Sequence, residues 1–241
     1  MKKDYVWDKV YENGESFENL CFATENLLAN KELLKAYYPL VRLIKRNKLK
    51  INKSLEFGAG TGQMSLILKK LGLVEEVYLV DIEEGALKIA EKLFRRFGEK
   101  CQIIKADLFK TNFKENEFDL CFSGGLIEHF KGERQNEVIR RHMIARNVIF
   151  QFPVDSLTYW TIRSIISIKN KFRWPFGYEK PISINRAKRL MEENKIKIID
   201  DDFHYLLPAV ARRMKNPSKL FYSNVLSRIF KMDYAILCKK K

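Results

Sequence analysis

The feature that most constrains the fold of this chain is a regular alternation of short β-forming runs and amphipathic stretches beginning at Ile51. The runs are Ser54–Phe57, Glu76–Val80, Gln102–Lys105, Phe118–Ser123 and Asn147–Phe152. Apolar residues recur at helical spacing between the first two runs, and nearly do so between the next two. This alternation predicts βαβ units, with parallel strands in one sheet and helices packed against it.

The segments on either side complete a single predicted domain. Residues 1–50 form an N-terminal helical cap, helical over residues 16–48 with a kink at Pro39. Residues 51–153 form the core, residues 154–182 an insertion over the carboxyl edge of the sheet, and residues 183–241 the remainder. The remainder is predicted to contain a helix at Ile184–Asn194, a strand at Ile196–Tyr205, a helical stretch to Phe230 and a strand at Tyr234–Cys238. The last two strands are expected to form an antiparallel hairpin at the sheet's edge.

Length and composition indicate a folded, water-soluble chain. The 241 residues suffice for one α/β core, and the hydrophobic share of 46% with 31% charged residues is that of a globular protein. No apolar run approaches the roughly 18 residues of a membrane-spanning helix, and the charged start does not resemble a signal peptide. We therefore expect a cytoplasmic protein. The four cysteines have no Cys-x-x-Cys spacing and are expected to be buried, reduced thiols: Cys21, Cys101, Cys121 and Cys238.

The net charge of +15 is concentrated in the C-terminal third of the chain. Residues 156–241 carry 19 Lys and Arg against 7 Asp and Glu. Such a region can steer an anionic substrate, nucleic acid or an anionic membrane surface, and it can equally be a solvated surface that keeps the protein soluble.

The most specific local motif is Leu55–Gly62, in which a strand passes through a glycine-rich turn into an amphipathic helix. Glycine lets the backbone approach a ligand closely, and the first N–H groups of a helix favour carboxylate or phosphate. A dinucleotide fingerprint needs glycine at position 63, where this chain has Gln63. Glu56 immediately precedes the turn and can accept a hydrogen bond from an ammonium group, which suits a cofactor that carries an amino acid.

Two aspartates follow the next two predicted strands. Asp81 stands 21 residues beyond Gly60, where sheets of this kind place a carboxylate against the two hydroxyls of a ribose. Ile82 can supply an apolar face for adenine, and Asp107 can accept from the exocyclic amine of adenine. The alternatives are that Asp81 caps the following helix and that Asp107 is an ordinary loop aspartate.

Together these motifs resemble the class I S-adenosylmethionine-dependent methyltransferases, in their small-molecule branch. The resemblance covers residues 50–153 and includes Phe118–Ser123. It implies a Rossmann-like sheet of seven strands, six parallel and one antiparallel, with helices on both faces. It also implies S-adenosylmethionine as the cofactor. The cofactor-binding residues expected from motif and resemblance together are Glu56, Gly58, Gly60, Gly62, Asp81, Ile82, Asp107, Leu108 and Ser123.

The stretch Gly124–Phe130 resembles the segment after the fourth strand of the small-molecule branch, where cofactor and acceptor meet. His129 can accept a proton from a hydroxyl or amine as the methyl group arrives, and Glu128 can orient it, accept the proton itself or bind a metal. The alternative for His129 is cofactor contact or helix packing. Methyl transfer is an in-line displacement, so alignment supplies much of its acceleration.

Aromatic and cationic residues alternate in the insertion, which suggests a substrate-binding surface. The candidates are Tyr159, Trp160, Arg163 and Trp174, in a segment that also contains Phe176. These rings can equally cover the sheet edge as ordinary packing. The segment with Ile162, Ile165 and Ile166 also fits contact with a membrane surface.

The leading hypothesis is an enzyme that methylates O or N of a small or medium-sized substrate, for which the charge favours an anion. RNA methylation is an alternative, although the Asp/Asn-Pro-Pro-Tyr/Phe motif and the Pro-Cys nucleophile of nucleobase enzymes are both missing at Ser123–Leu126. A silent cofactor- or RNA-binding protein of the same fold is another. No metal is expected, because His142 and His204 have no ligand partners at metal spacing. The sequence leaves the acceptor and the oligomeric state open.

Overall fold

A seven-stranded sheet organises the chain in a computed structural model that describes residues 17–169, 171–174, 177–215 and 230–240. The strands are β1 (Lys53–Phe57), β2 (Glu76–Asp81), β3 (Gln102–Lys105), β4 (Phe118–Gly124), β5 (Ala145–Pro153), β6 (Ile196–Tyr205) and β7 (Lys231–Lys240). Their spatial order is β3-β2-β1-β4-β5-β7-β6. Six strands run parallel, and β7 is antiparallel to both of its neighbours. This confirms the predicted fold class.

Helices surround the sheet. In chain order they are α1 (Phe17–Ala29), α2 (Lys31–Tyr37), α3 (Pro39–Arg46), α4 (Gln63–Lys70), α5 (Glu84–Arg96), α6 (Gly132–His142), α7 (Leu157–Lys169), α8 (Ile184–Glu193) and α9 (Leu206–Ala211). Single 3₁₀ turns at Leu108–Lys110 and Ile127–His129 follow β3 and β4. Both turns lie at the carboxyl edge of the sheet, beside the glycine turn that follows β1.

The N-terminal cap is three helices where the sequence analysis predicted one kinked helix. Asn30 ends α1 and caps α2, since its side chain accepts from the Leu33 N–H at 2.9 Å. Pro39 is at the first turn of α3, where its missing N–H costs no helical bond. Arg42 and Arg46 then attach α3 to β6 by paired hydrogen bonds to Asp202 and Asp200, with N–O distances of 2.7 to 3.0 Å.

The C-terminal strands are paired and placed as predicted. β6 and β7 are antiparallel and together form one end of the sheet, with β7 beside β5 and β6 at the edge. The run Tyr234–Cys238 is entirely buried, which an interior strand requires. The helical stretch predicted to extend to Phe230 begins as α9, and its residues 216–229 lie outside the described part of the chain.

The insertion contains α7, a helix that the sequence analysis did not predict. Ser156 begins it, accepting from the Tyr159 N–H at 3.2 Å. The pattern was hard to interpret because apolar side chains occur on both faces of α7. After α7 the chain returns to the end of β5. There Ile182 pairs with Val154, the residue that follows this strand.

Two apolar layers enclose the sheet. One contains the cap helices with α4 and α5, and the other contains α6 and α8. Successive residues of β5 serve different layers, since Ile149 belongs to the first and Phe150 to the second. Of the cysteines, Cys101 is half-buried and the other three are buried, all as free thiols.

The strand order places a crevice next to β1. The chain moves from β1 outward to β2 and β3, and then returns to β4 on the other side of β1. Ligands of open α/β sheets bind at the carboxyl ends of the strands where the order reverses in this way. The glycine turn, the two 3₁₀ turns and the insertion all lie around that point.

Candidate functional site

A cavity of about 1440 Å³ opens at the carboxyl ends of β1 to β5. It is larger than the roughly 300–1,000 Å³ of a pocket for one small ligand. Ten of the residues singled out in the sequence line it: Gly58, Asp81, Ile82, Asp107, Leu108, Glu128, His129, Tyr159, Arg163 and Trp174. The cavity therefore brings the candidates for cofactor, chemistry and acceptor into one space.

The glycine turn has the geometry that requires glycine. Gly58 and Gly62 have φ values of +63° and +65°, in the left-handed region that side chains rarely adopt. A Cβ atom on Gly62 would come within 2.8 Å of Leu79 Cδ1, and one on Gly58 equally close to Leu126 Cδ1. Gly62 thus permits tight packing of α4 on the sheet, and Gly58 forms part of the cavity wall.

Gln63, which distinguishes this turn from a dinucleotide fingerprint, joins three elements. Its amide nitrogen donates to Thr24 Oγ1 of α1 at 2.8 Å, and its amide oxygen accepts from the Arg212 guanidinium at 3.0 Å. The residue therefore connects the start of α4 to the cap and to the end of α9.

Asp81 holds the glycine turn against the end of β2. Its two carboxylate oxygens accept from the backbone N–H groups of Gly60 at 2.8 Å and Glu83 at 2.9 Å. Burial raises the pKa of Asp81, and these backbone bonds partly oppose the shift. Asp81 also lines the cavity, and a carboxylate can accept further hydrogen bonds of the kind that two ribose hydroxyls donate.

The wall beside Asp81 suits a flat, polar-edged ring. Ile82 is 59% exposed and contributes an apolar face to the cavity. Asp107 accepts from the Phe109 N–H at 3.0 Å and begins the 3₁₀ turn that carries the buried Leu108. The Arg134 guanidinium lies 3.6 Å over the Phe109 ring and closes this side of the cavity.

Five candidates do not line the cavity. Trp160 is on the outer side of α7, where its Nε1 donates to Asp155 at 2.8 Å. Gly60 and Gly62 lie within the turn itself. Glu56 and Ser123 are buried behind it, and Ser123 Oγ has no hydrogen-bond partner among the described residues.

Glu56 is held by Ser65, through the side chain and the backbone of that residue. Ser65 Oγ donates to its Oε2 at 2.5 Å. Burial raises the pKa of Glu56 to about 8, although the bonds from Ser65 oppose this shift. A cation placed near the turn would therefore favour the ionised form.

Glu128 is a buried acid at the other end of the cavity. It is 2% exposed, and its Oε2 has no hydrogen-bond partner in the described part of the chain. Burial is the main cause that raises its pKa well above the ordinary value, and the charges of Glu179 and Asp233 add to it.

His129 lies beside Glu128 and is fastened to the insertion. Its Nδ1 donates to the Tyr178 carbonyl at 2.6 Å, which leaves the proton on that nitrogen. Burial lowers the pKa of His129 more than the surrounding acceptors raise it, so the ring is neutral at pH 7. The Glu128 carbonyl also accepts from the Lys180 N–H at 3.2 Å, which attaches the insertion a second time.

A hydrogen-bonded aromatic cluster forms the wall opposite the sheet. Glu179 accepts from Tyr159 OH at 2.9 Å and from Trp174 Nε1 at 3.1 Å. Arg163 donates to Tyr159 OH at 2.5 Å and stacks over the Trp174 ring at 4.6 Å. The guanidinium of Arg163 is therefore already engaged by groups of the protein itself. Phe176, named with these rings in the sequence, lies outside the described residues.

Sequence reasoning missed two acids of this wall, Glu179 and Asp233. Asp233 accepts from Gln151 at 3.2 Å and pairs with His204 Nδ1 at 2.8 Å. Glu179 follows an aromatic run, which is a weak signal by itself. Asp233 belongs to β7, and only the placement of that strand beside β5 brings it to the cavity.

A second histidine, His142, belongs to the core and not to the cavity. His142 is buried between the Phe57 and Phe150 rings, which lowers its pKa to about 4. Within the described ranges, no group of three His, Cys, Asp or Glu side chains is arranged to hold a metal ion. Nor does any helix of that part of the chain have the length and apolar character to span a membrane.

The core that builds this cavity is similar to a known domain. Residues 55–144 match a family model described as a methyltransferase domain, and they contain the glycine turn, Asp81, Asp107 and Glu128. Over these residues the chain is similar to the class I methyltransferases. Their methyl donor is S-adenosylmethionine. The exposed Ile82, the carboxylate of Asp81 and the acidic lining fit such a cationic adenosyl cofactor.

Solved structures share the fold of this methyltransferase at low identity. The magnesium protoporphyrin IX methyltransferase of Synechocystis PCC 6803, with bound SAH, is 14% identical over 83% of this chain and 80% of its own, with a TM-score of 0.58. An S-adenosylmethionine-dependent methyltransferase of Clostridium acetobutylicum ATCC 824 is 14% identical over 83% and 89%, with a TM-score of 0.56. At this identity they show the fold alone. No curated protein matches the sequence significantly.

Proposed function

We propose that this methyltransferase transfers the methyl group of S-adenosylmethionine to O or N of a small or medium-sized molecule held in the cavity. The observation that carries the proposal is that one cavity of about 1440 Å³ joins the Asp81 wall to Glu128 and the aromatic cluster. Both reactants therefore fit in a shared space from which water can be excluded.

In this proposal each of the cofactor-binding residues contacts a different part of S-adenosylmethionine. Asp81 accepts from the ribose hydroxyls, and Asp107 accepts from the amine of adenine. Ile82 and Leu108 contact the faces of the ring. The methionyl part lies over the glycine turn, near Glu56. When bound, S-adenosylmethionine supplies an electrophilic methyl group on a positively charged sulfur.

Glu128 is the proposed proton acceptor. Its pKa is raised by burial, so the ionised carboxylate is a stronger base than an exposed glutamate. A cationic donor in the cavity favours that ionised form. His129 holds the insertion through the Tyr178 carbonyl and keeps the acceptor aligned, and its role as a second base remains a prediction.

The charged residues that line the cavity indicate which charge the acceptor carries. Seven of the lining residues are Asp or Glu and four are Lys or Arg, and Arg163 is used by Tyr159 and Trp174. An anionic substrate, which the basic composition favoured, would meet this acidic surface. We therefore propose a neutral or cationic acceptor whose O–H or N–H group faces Glu128. RNA phosphates suit this lining poorly for the same reason.

The test begins with the acceptor itself. The protein is incubated with methyl-labelled S-adenosylmethionine and a fractionated extract of its own cells, and labelled products are identified by mass spectrometry. We expect one labelled small molecule with a new O- or N-methyl group. Labelled RNA, or S-adenosylhomocysteine formation absent with every fraction, would contradict the proposal.

Glu128→Gln provides a matched test of the chemistry. The amide keeps the size but cannot accept the proton, so kcat should fall at least tenfold while affinity for S-adenosylhomocysteine changes less than twofold. The wild-type rate should rise with pH as Glu128 ionises, and the variant should lose that rise. A variant with the wild-type pH profile would rule out Glu128 as the base.

A further inference from the structure

The helix α7 presents apolar side chains on two opposite faces. Its inner face lines the cavity with Tyr159, Ile162 and Ile166. Its outer face exposes Leu157 at 85% and Ile168 at 60% of their surfaces. A helix that only covered the sheet edge would need one apolar face, with polar residues on the other.

This outer face and the turn after it concentrate the exposed apolar surface of the molecule. Eleven large apolar side chains are exposed in the described ranges, and six of them belong to residues 157–178. The six are Leu157, Trp160, Ile165, Ile168, Phe172 and Tyr178. Single exposed apolar residues are ordinary, but their concentration in one short segment indicates a contact surface.

The charges within the segment that carries most of this group have one sign, although Asp155 accepts from Trp160 just before it. Residues 157–173 contain four Lys or Arg and no Asp or Glu. Lys169, Lys171 and Arg173 are exposed at the end of α7, next to Phe172, which is 83% exposed. Apolar side chains with Trp on one face of a helix, bordered by cations, are what an interfacial helix presents to an anionic lipid surface.

We propose that the outer face of α7, together with Phe172, docks onto a bilayer surface that contains anionic phospholipid. The apolar side chains enter the interface, and Lys169, Lys171 and Arg173 contact the phosphate groups. Charge complementarity selects this partner: RNA would pair with the cations but leave Leu157, Ile165 and Ile168 in contact with water. The 13 residues of α7 lie in the plane of the surface over about 20 Å.

The docking has a consequence for the substrate that rests on the proposed function. Because α7 separates the lipid surface from the cavity by the thickness of one helix, an apolar acceptor dissolved in the bilayer can reach Ile162 and Ile166 over a short path. The geometry therefore points to a lipid-soluble acceptor with a hydroxyl or amino group.

Vesicle flotation of the full chain tests the docking. We expect the protein to float with vesicles of phosphatidylcholine and phosphatidylglycerol at 3:1, to float at least tenfold less with phosphatidylcholine alone, and to be released by 0.5 M salt, about the range over which such charges are screened. A wild-type chain that stays at the bottom of the gradient with anionic vesicles would overturn the proposal.

Matched variants separate docking from folding and catalysis. The triple variant Leu157→Ser, Ile168→Ser, Phe172→Ser should lose flotation at least tenfold, whereas Ile103→Ser, Ile199→Ser, exposed elsewhere, should not. Both should bind S-adenosylhomocysteine as the wild type does, which keeps this test apart from the proposed function. Equal flotation of both variants would overturn the proposal. So would a wild-type dimer by light scattering that the triple variant alone converts to monomer, because the face would then belong to a second copy.

Discussion

The two ends of the cavity are built by different kinds of hydrogen bond. At the donor end, Asp81 and Asp107 accept from backbone N–H groups of turns beside their own strands. At the acceptor end, Tyr159, Trp174 and Glu179 bond to one another through side chains. Backbone donors are present whatever the side chains are, whereas a side-chain cluster changes with each substitution. Backbone bonding suits a site for the proposed methyl donor, which many enzymes share. A side-chain cluster suits a site for the proposed acceptor, which is particular to one enzyme.

The ends also differ in how their buried acids are satisfied. Glu56, behind the glycine turn, is bonded by Ser65, while Glu128 has an oxygen with no partner among the described residues. A buried polar atom without a partner is costly unless a ligand supplies one. Glu128 therefore has an oxygen that the proposed acceptor could bond, whereas Glu56 is already bonded within the protein.

The largest expected effect is the loss of donor binding in Asp81→Ala. The substitution removes the acceptor of the Gly60 and Glu83 N–H groups as well as the proposed ribose contact. At about 1.5–3 kcal/mol for each charged hydrogen bond, we expect affinity for S-adenosylhomocysteine to fall roughly 100-fold. Isothermal titration calorimetry measures it. Glu91→Ala, an exposed change on α5, is the control. Unchanged affinity in Asp81→Ala would contradict the donor-end assignment.

A smaller effect should follow from Tyr159→Phe, which changes only the acceptor end. The variant loses the hydroxyl that donates to Glu179 and accepts from Arg163, so the aromatic wall loosens. With the acceptor found by labelling, KM should rise about tenfold, the equivalent of one hydrogen bond of about 1.4 kcal/mol. Affinity for S-adenosylhomocysteine should stay within twofold. Ser164→Ala on the outer face of α7 is the control. If donor affinity fell as much as acceptor affinity, the two ends would not be independent.

The last prediction concerns stability. It tests the raised pKa of Glu56, the buried acid behind the glycine turn. The pKa of Glu56 is about 8 in the folded chain against about 4.5 unfolded, so its contribution to stability is present below pH 4.5 and is lost as pH rises toward 8. Glu56→Gln cannot ionise, so its Tm relative to wild type should increase by roughly 10 °C between pH 5 and pH 9. Thermal unfolding of both chains measures this difference. Glu75→Gln, which is exposed, should show no such increase, and a flat difference for Glu56→Gln would refute the pKa shift.

Local patterns predicted the sheet core well. The five core strands lie where the alternation of β runs and helices placed them, because strand and helix periodicity depend on neighbouring residues. The glycine turn was equally legible, since a strand, a turn and a helix follow one another within a few residues. The three-helix cap was harder to predict. Its helices are separated at Asn30 and before Pro39, and only the break at Pro39 was recognised in the sequence.

The insertion and the burial of β7 were harder to predict for a physical reason. In α7 the apolar residues serve the cavity on one side and remain exposed on the other, so no single helical stripe stands out. The burial of β7 depends on β5 and β6, which precede it in the chain. Asp233 reaches the cavity only through that pairing.

The sequence by itself determined the class of the fold, the glycine turn and the carboxylates that follow the strands, because each of these is encoded by residues close together in the chain. Only the tertiary structure decided which groups face the acceptor. Glu128, Tyr159, Glu179 and Asp233 come from four distant segments, and their proximity arises from strand order and from the return of the insertion to β5. A contact between distant segments has no local pattern, so it becomes visible only when the sheet has been assembled.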